Sequence, residues 1–569
     1  MNDNGKQGDS GKPRILIIGG VAGGASCATR LRRLSESAEI TIFERGPYVS
    51  FANCGLPYYV GDVIADEKKL LVATPGLFRK RFNIDVRTQN EVLSIDRHSQ
   101  EITIKNRKTG AVYNEGYDAL VFSPGSSPIR PPLPGIELPG IFTLRTIPDS
   151  RQIREWIAQR GVERALIVGG GFIGLEMAEN LVKRGVSVTI VEMLSQVMPT
   201  LDADMAVPIH NHLIANGVTL ALGDAVSSFT EGPGGNIIEV ATKSGHKYTA
   251  DMVILAIGVR PEIGLAREAG LEIGERGGVR VDEHMRTSDQ HIWAVGDAVE
   301  VQDFITGSWI NVPLAGPANR EGRIAADNIL GRKVKFRGVQ ATAICQVFDM
   351  TIASTGTSEK VLKRSLKSGQ SIPYEKVFLH TRHHVEYYPN STPMTIKLIF
   401  STTDGRILGA QAVGGEGVDK RIDVISMAIQ RNSTVFDLEQ CELCYAPQFG
   451  AAKDPVNIAG MIAANALRGD APVAHWENAD LDGSIILDVR EPGEFDTGHV
   501  PRAINIPLGE LRGRLGELDR NRQVLVYCAV GQRSYYASRL LLQHGIQAKN
   551  ISGGFSCYAV WKQIQSDSH

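Results

Sequence analysis

Ala165-Leu166-Ile167-Val168-Gly169-Gly170-Gly171-Phe172-Ile173-Gly174 decides the fold of this chain. A short apolar run reads as a buried strand, the glycines as a tight turn, and Leu175–Lys183 as the helix that follows. Ser187–Glu192 completes a strand–helix–strand unit. Gly169, Gly171 and Gly174 occupy the three positions of a Gly-x-Gly-x-x-Gly turn. Each missing side chain has a use. The turn tightens, the backbone reaches a pyrophosphate, and the helix packs close on the strand. Glu192 ends the second strand, 18 residues after Gly174. A carboxylate there accepts hydrogen bonds from a ribose 2′-hydroxyl and repels a 2′-phosphate, so NADH is expected over NADPH.

A near copy lies upstream: strand Arg14–Ile18, helix Ala25–Leu34, strand Glu39–Glu44. Its turn, Gly19-Gly20-Val21-Ala22-Gly23-Gly24, puts Val21 at the middle glycine position, and Glu44 stands 20 residues past Gly24. One such turn often only packs a helix on a strand. Two in register, each with its acidic residue, point to two dinucleotides. Further strands end in small residues at 119–125 and 252–258, and residues 291–297 run into Gly296-Asp297.

The chain has 569 residues and a net charge of −2, so it offers no global attraction to nucleic acid or anionic membrane. Seven scattered cysteines do not make a disulfide framework, and a reducing cytoplasm is the expected setting. No run approaches the ~20 apolar residues of a membrane helix. Residues 1–13 are polar and read as a flexible tail. The expected order is a dinucleotide domain at 14–150 and 260–341, a second at 151–259, an α+β module at 342–465, a linker at 466–482, and a last α/β unit at 483–569.

Cys54 sits in Ser50-Phe51-Ala52-Asn53-Cys54-Gly55-Leu56-Pro57-Tyr58-Tyr59, and the nearest other cysteines are Cys27 and Cys345. A lone thiol beside a nucleotide site stores its oxidised equivalent as a sulfenic acid or as a mixed disulfide with a small thiol. The upstream helix carries Arg30 and Arg33 on one face. These suit a phosphorylated substrate, or form an ordinary solvated face.

With these motifs, residues 14–465 resemble the pyridine nucleotide–disulfide oxidoreductase superfamily, in its lone-cysteine branch of coenzyme A-disulfide reductases, NADH oxidases and NADH peroxidases. The resemblance implies FAD on the first turn (Gly19, Gly24, Glu44) with Gly296 and Asp297, NADH on Gly169, Gly171, Gly174 and Glu192, and a homodimer built through 342–465. Oxidases and peroxidases of this branch usually place a histidine near the cysteine, and helix 25–33 has none. The resemblance to coenzyme A-disulfide reductases implies CoA contacts from Arg30, Arg33, Ser50 and Asn53, with Lys80 and Arg81 as further candidates. It also implies that Tyr387 (in Tyr387-Tyr388-Pro389) and Tyr445 (in Tyr445-Ala446-Pro447) reach the cysteine of the opposite subunit. A phenol there can protonate a leaving thiolate; a tyrosine pair can also simply pack. Cys441 and Cys444 form a Cys-x-x-Cys without a second pair, and no metal site is expected.

Ile485–Arg490, Gly498–Pro501 and Cys528-Ala529-Val530-Gly531-Gln532-Arg533-Ser534 resemble a rhodanese domain. Cys528 at a strand end, before a short loop and a helix, meets converging backbone N–H groups that stabilise a persulfide anion. Arg533 closes the ring. The expected class is therefore α/β: two Rossmann-like domains, an α+β dimerisation domain and a C-terminal rhodanese domain. The whole resembles coenzyme A-disulfide reductase–rhodanese fusions, which implies reduction of thiol persulfides, polysulfide or CoA disulfide through Cys54, with sulfur supplied by Cys528. A CoA-disulfide reductase with separate sulfurtransferase activity, an NADH oxidase or peroxidase, and a pure sulfur relay are the alternatives.

Overall fold

The computed structural model describes residues 12–232, 237–367 and 372–567, so residues 1–11 of the expected tail lie outside the described residues. The chain divides into two units, Met1–Thr189 with Val226–Ala341, and Ile190–Ala225 with Thr342–His569.

In the first unit, strand Arg14–Ile18 is the centre of a parallel sheet. Glu39–Glu44 and Ala119–Phe122 flank it, with Asp85–Thr88 and Ile292–Ala294 outside them. Ile15, Leu16 and Ile17 are fully buried. Helices cover both faces of such a strand, which explains its unbroken apolar run. Helix Ala22–Leu34 starts three residues before the expected Ala25, because Gly23 and Gly24 belong to its first turn. A Cβ on Gly24 would stand 2.0 Å from the Gly19 carbonyl oxygen, and one on Gly322 would stand 2.3 Å from that of Gly23. Glycine thus lets the helix meet both its strand and helix Ala315–Ile329 backbone to backbone. The second nucleotide motif repeats the plan. Arg164–Val168 pairs in parallel with Met252–Leu255, which pairs with Ile141–Phe142, and helix Phe172–Lys183 again starts inside the glycine turn.

The second unit holds an antiparallel sheet in the order Ala343–Val347, Met350–Gly356, Ile407–Gly414, Pro393–Ser401, Tyr374–Arg382. It also holds a parallel sheet in the order Val473–Ala474, Ala548–Ile551, Val524–Tyr527, Ile485–Asp488, Ile504–Asn505. Residues 466–482, read from sequence as an irregular linker, contain the end of helix Pro455–Leu467 and the edge strand Val473–Ala474. Trp476 is buried there against Tyr527 and Tyr558. A two-residue strand and one aromatic anchor leave no periodic signal in a polar stretch, so composition alone concealed them.

Buried charges tie this unit together. Lys397 Nζ lies 3.1, 2.7 and 2.9 Å from Asp202, Asp204 and Glu359. Lys376 bridges Glu359, at 2.7 Å, to Glu477, which follows the edge strand Val473–Ala474 of the parallel sheet. Among the described residues no helix is long and apolar enough to cross a membrane.

Candidate active site

Both glycine turns rest on backbone conformations that favour glycine. Gly19 and Gly169 adopt φ of +90° and +106°, which side chains rarely tolerate. A Cβ on Gly174 would stand 2.1 Å from the Gly169 carbonyl oxygen, so this residue serves packing. Gly171 differs: a Cβ there would meet nothing within 4 Å. The open space over a helix N-terminus is where a pyrophosphate fits. In the first turn, a Cβ on Gly20 would strike Val49 and Ile42, so that glycine, like Gly24, brings chain segments together. Glu44 accepts hydrogen bonds from the Gly20 and Gly46 N–H groups at 3.2 and 2.8 Å, which fixes its carboxylate beside the turn. Gly296, at φ +80°, and Asp297 open a single 3-10 turn after strand Ile292–Ala294, and Ser126 Oγ donates to Asp297 at 2.7 Å. Burial pushes the Asp297 carboxyl above its usual range. In the second unit, Glu192 ends its strand and accepts from the Leu194 N–H at 2.8 Å.

Cys54 lies in the 3-10 turn Asn53–Gly55, immediately before helix Leu56–Val60, and its thiol is exposed. Strain upstream positions it. Ser50 takes a left-handed φ of +48°. It is held there because its N–H donates to Gly20 O at 2.8 Å and its carbonyl accepts from Val72 and Ala73 at 2.9 and 3.1 Å. Ala52 N–H donates to Leu70 O at 2.8 Å. The cysteine segment is thereby stapled to the first glycine turn. Desolvation by its neighbours, then the charges of Glu176 and Asp297, push the Cys54 thiol above the usual cysteine range.

The proposed CoA arginines meet different fates. Arg30 donates from Nε and Nη2 to Asp327 Oδ1 at 3.2 and 2.8 Å, so part of its guanidinium is already used. Arg33 is exposed, as are Asn53, Lys80 and Arg81, while Ser50 is half-buried. Arg32, which the sequence analysis passed over, is buried and donates to five carbonyls. Two of them, Phe82 O at 2.7 Å and Asn83 O at 2.9 Å, end helix Pro75–Phe82. Arg32 thus brings the end of the Arg33 helix beside the end of the Lys80–Arg81 helix.

In the second unit, Tyr387 and Tyr445 meet hydroxyl to hydroxyl at 3.0 Å, both exposed. That hydrogen bond raises the Tyr387 phenol above its usual range. Arg421, buried against Asp454, donates to the His383 carbonyl at 2.7 Å and anchors the Tyr387 loop. Cys441 is half-buried and accepts from Asn457 at 3.3 Å, whereas Cys444 is exposed. None of the seven cysteines is in a disulfide.

Cys528 ends strand Val524–Tyr527 and is completely buried. Its Sγ accepts from the Gly531 N–H at 3.2 Å and from Ser534 Oγ at 3.5 Å. Gly531 takes φ +100°, which turns its N–H inward. Arg533 does close the loop, but both its Nη atoms are engaged by Glu494, at 2.6 and 2.7 Å. The Cys528 carbonyl accepts from Phe555 at 2.8 Å, which pins the loop base to helix Gly554–Asp567.

Sequence reasoning missed Glu176 and Glu321. Glu176 lies on helix Phe172–Lys183, accepts from Tyr58 at 3.4 Å and is pushed up to about 7 by burial. Glu321 accepts from the Gly296 N–H at 2.7 Å and is likewise pushed up to about 7 by burial. A carboxylate inside an otherwise amphipathic helix was the available signal.

Residues 13–322 match the family Pyridine nucleotide-disulphide oxidoreductase, residues 342–454 its dimerisation domain, and residues 472–559 the Rhodanese-like domain. The coenzyme A disulfide reductase of Staphylococcus aureus (strain JH9) is 36% identical over 449 residues, covering 79% of this chain and 99% of that protein. The structure of reduced Bacillus anthracis CoADR-RHD superposes with a TM-score of 0.93 at 48% identity, covering 97% of this chain and 98% of that one. The NAD-dependent persulfide reductase from A. fulgidus gives 0.88 at 38% identity, covering 96% and 100%.

Proposed function

The chain belongs to the pyridine nucleotide-disulphide oxidoreductases, and from that premise we propose that it uses NADH to reduce the sulfane sulfur of coenzyme A persulfide to hydrosulfide. It is a flavoprotein disulfide or persulfide reductase with a rhodanese-like domain in the same chain. The single observation that carries the reading is the combination, in one chain, of an exposed thiol outside any disulfide in the nucleotide-binding unit and a loop that aims the Gly531 N–H and the Ser534 hydroxyl at the Cys528 sulfur.

The Cys54 thiolate attacks the inner sulfur of CoA–S–SH. The Cys54–S–S–CoA bond forms, the S–S bond of the persulfide breaks, and hydrosulfide leaves. Gly19, Gly24, Glu44 and Asp297 would hold FAD, and Gly169, Gly171, Gly174 and Glu192 would hold NADH; when bound, the pair would supply the two electrons that return Cys54 to a thiolate and CoA to its thiol. Arg33, Lys80, Arg81, Ser50 and Asn53, with what Arg30 has to spare, bind the CoA phosphates and pantetheine arm. The chain forms a homodimer through 342–465, and Tyr387 and Tyr445 give a proton to the departing CoA thiolate across the interface. Cys528 accepts sulfane sulfur from polysulfide or a thiol persulfide and passes it to CoA. The domain limits 14–150 with 260–341 for FAD and 151–259 for NADH belong to this reading.

A second reading, a CoA-disulfide reductase whose rhodanese domain works separately, is favoured by the name of the Staphylococcus aureus relative. It uses the same Cys54–CoA adduct but releases CoA thiolate in place of hydrosulfide. The two separate by product. Hydrosulfide release per NADH from CoA persulfide, lost in Cys54→Ser with FAD retained, supports the first. Turnover of CoA disulfide alone supports the second, and full persulfide turnover by Cys54→Ser contradicts both.

A further inference from the structure

The ring around Cys528 carries almost no net charge. Between Cys528 and Ser534 the side chains are Ala529, Val530, Gly531, Gln532 and Arg533, so Arg533 is the loop's one cation. That cation is held in a two-pronged pair with Glu494, at 2.6 and 2.7 Å. The Arg533 hydrogen bonds hold the Glu494 carboxyl down to about 2, so the pair stays ionised at physiological pH, and Arg533 faces the Cys528 sulfur only as the cationic half of that pair. The outer face of the loop is apolar and aromatic. Val530 is 37% exposed and Tyr536 50% exposed, and Gln532 Nε2 donates to the Tyr536 hydroxyl at 3.4 Å. The sulfur itself is recessed to 0% exposure, so a donor must come close before its sulfane atom reaches Sγ.

Thiosulfate is a dianion whose sulfonate needs charge-assisted donors to shed its water. A thiol persulfide with an uncharged tail needs only a path for its terminal sulfur and an apolar surface for the tail. We infer that Glu494, by occupying Arg533, makes this loop select a persulfide on an uncharged organic thiol over thiosulfate. The inference rests on the reading of Cys528 as the sulfur acceptor. In the transfer, Cys528–S⁻ attacks the outer sulfur of R–S–SH. The Cys528 S–S bond forms, the R–S–S bond breaks, and R–S⁻ leaves, with Cys528–S–SH keeping the hydrogen. No outside oxidant or reductant enters.

The test measures addition of one sulfur to the Cys528 peptide by mass, in the full-length protein without NADH, from pantetheine persulfide and from thiosulfate. Loading from pantetheine persulfide is expected to be faster by about tenfold or more, the discrimination that one missing charge-assisted contact brings. Glu494→Gln, which releases Arg533, and Val530→Arg, which adds a cation at an exposed position, are each expected to narrow that ratio by raising the thiosulfate rate. Thiosulfate loading equal to or faster than persulfide loading in the unaltered protein overturns the inference, as does a ratio untouched by both substitutions. Loading from neither donor overturns the sulfur-acceptor reading of Cys528 instead, and hydrosulfide release at Cys54 then stands or falls separately.

Discussion

Replacing Gly171 with alanine separates nucleotide binding from folding. Gly171 caps helix Phe172–Lys183 at φ −82° and ψ −171°, an extended conformation open to any residue. Its added methyl would meet nothing within 4 Å. The stability cost is therefore limited to the helix-cap preference, about 1 kcal/mol or less. On the proposed assignment, the same methyl would fill the space through which a pyrophosphate oxygen reaches the backbone. Losing one charge-assisted N–H···O bond costs about 1.5–3 kcal/mol, which is about 10- to 150-fold in affinity. Gly174→Ala is the counterpart: its Cβ would stand 2.1 Å from the Gly169 carbonyl oxygen, a backbone atom that cannot step aside. The assay pairs the KM for NADH with thermal unfolding of the FAD-loaded protein. Gly171→Ala should unfold at nearly the original temperature with a KM raised by that factor, and Gly174→Ala should lose stability first. An unchanged KM for NADH in Gly171→Ala would refute the assignment of this turn to the dinucleotide.

Lys397→Met removes a buried cation from the buried Asp202 and Glu359 and the half-buried Asp204, and should cost about 3–5 kcal/mol. Burial alone would raise Glu359, but Lys397 and Lys376 outweigh it and hold the group below the carboxylate range. Its contribution is present above the unfolded value and is lost as pH falls through the folded one. In Lys397→Met, Asp202 and Asp204 lose their cation while Glu359 keeps Lys376 and Lys363, and the uncompensated carboxylates favour protons, so denaturant unfolding should show a larger loss near about pH 8 than near about pH 5; equal losses would contradict this pairing. Cys528→Ser should abolish sulfur loading yet leave NADH-driven reduction of CoA disulfide within about twofold of the original, and a joint collapse would contradict separate roles. Glu176 is pushed up to about 7 and its charge raises Cys54, so Glu176→Gln should shift the pH profile of Cys54 alkylation downward. An unshifted profile would remove Glu176 from the thiol's surroundings.

The two nucleotide units were legible because glycine spacing is a backbone requirement written directly in residue type. A Cβ on Gly24 or Gly174 cannot be accommodated, and both helices start inside the turns that the motifs announced. The Cys528 loop was legible for the same reason, since Gly531 must turn left-handed to aim its N–H at the sulfur. What stayed hidden depends on long-range partners. Asp327 takes up part of Arg30 from nearly 300 residues away, and Glu494 claims Arg533 from another helix. Arg32 looked like one more basic residue, yet its five carbonyl contacts place the basic helix ends together. The strand and Trp476 inside 466–482 gave no period to read.

The most direct test of the central claim is the mass of the Cys54 peptide after the purified protein meets CoA persulfide without NADH. The expected result is a CoA-sized adduct on Cys54 with one equivalent of hydrosulfide released, and its disappearance with release of CoA when NADH is added. A Cys54 peptide that stays unmodified, or gains only oxygen, while NADH still drives hydrosulfide release would contradict a mixed disulfide with CoA as the route.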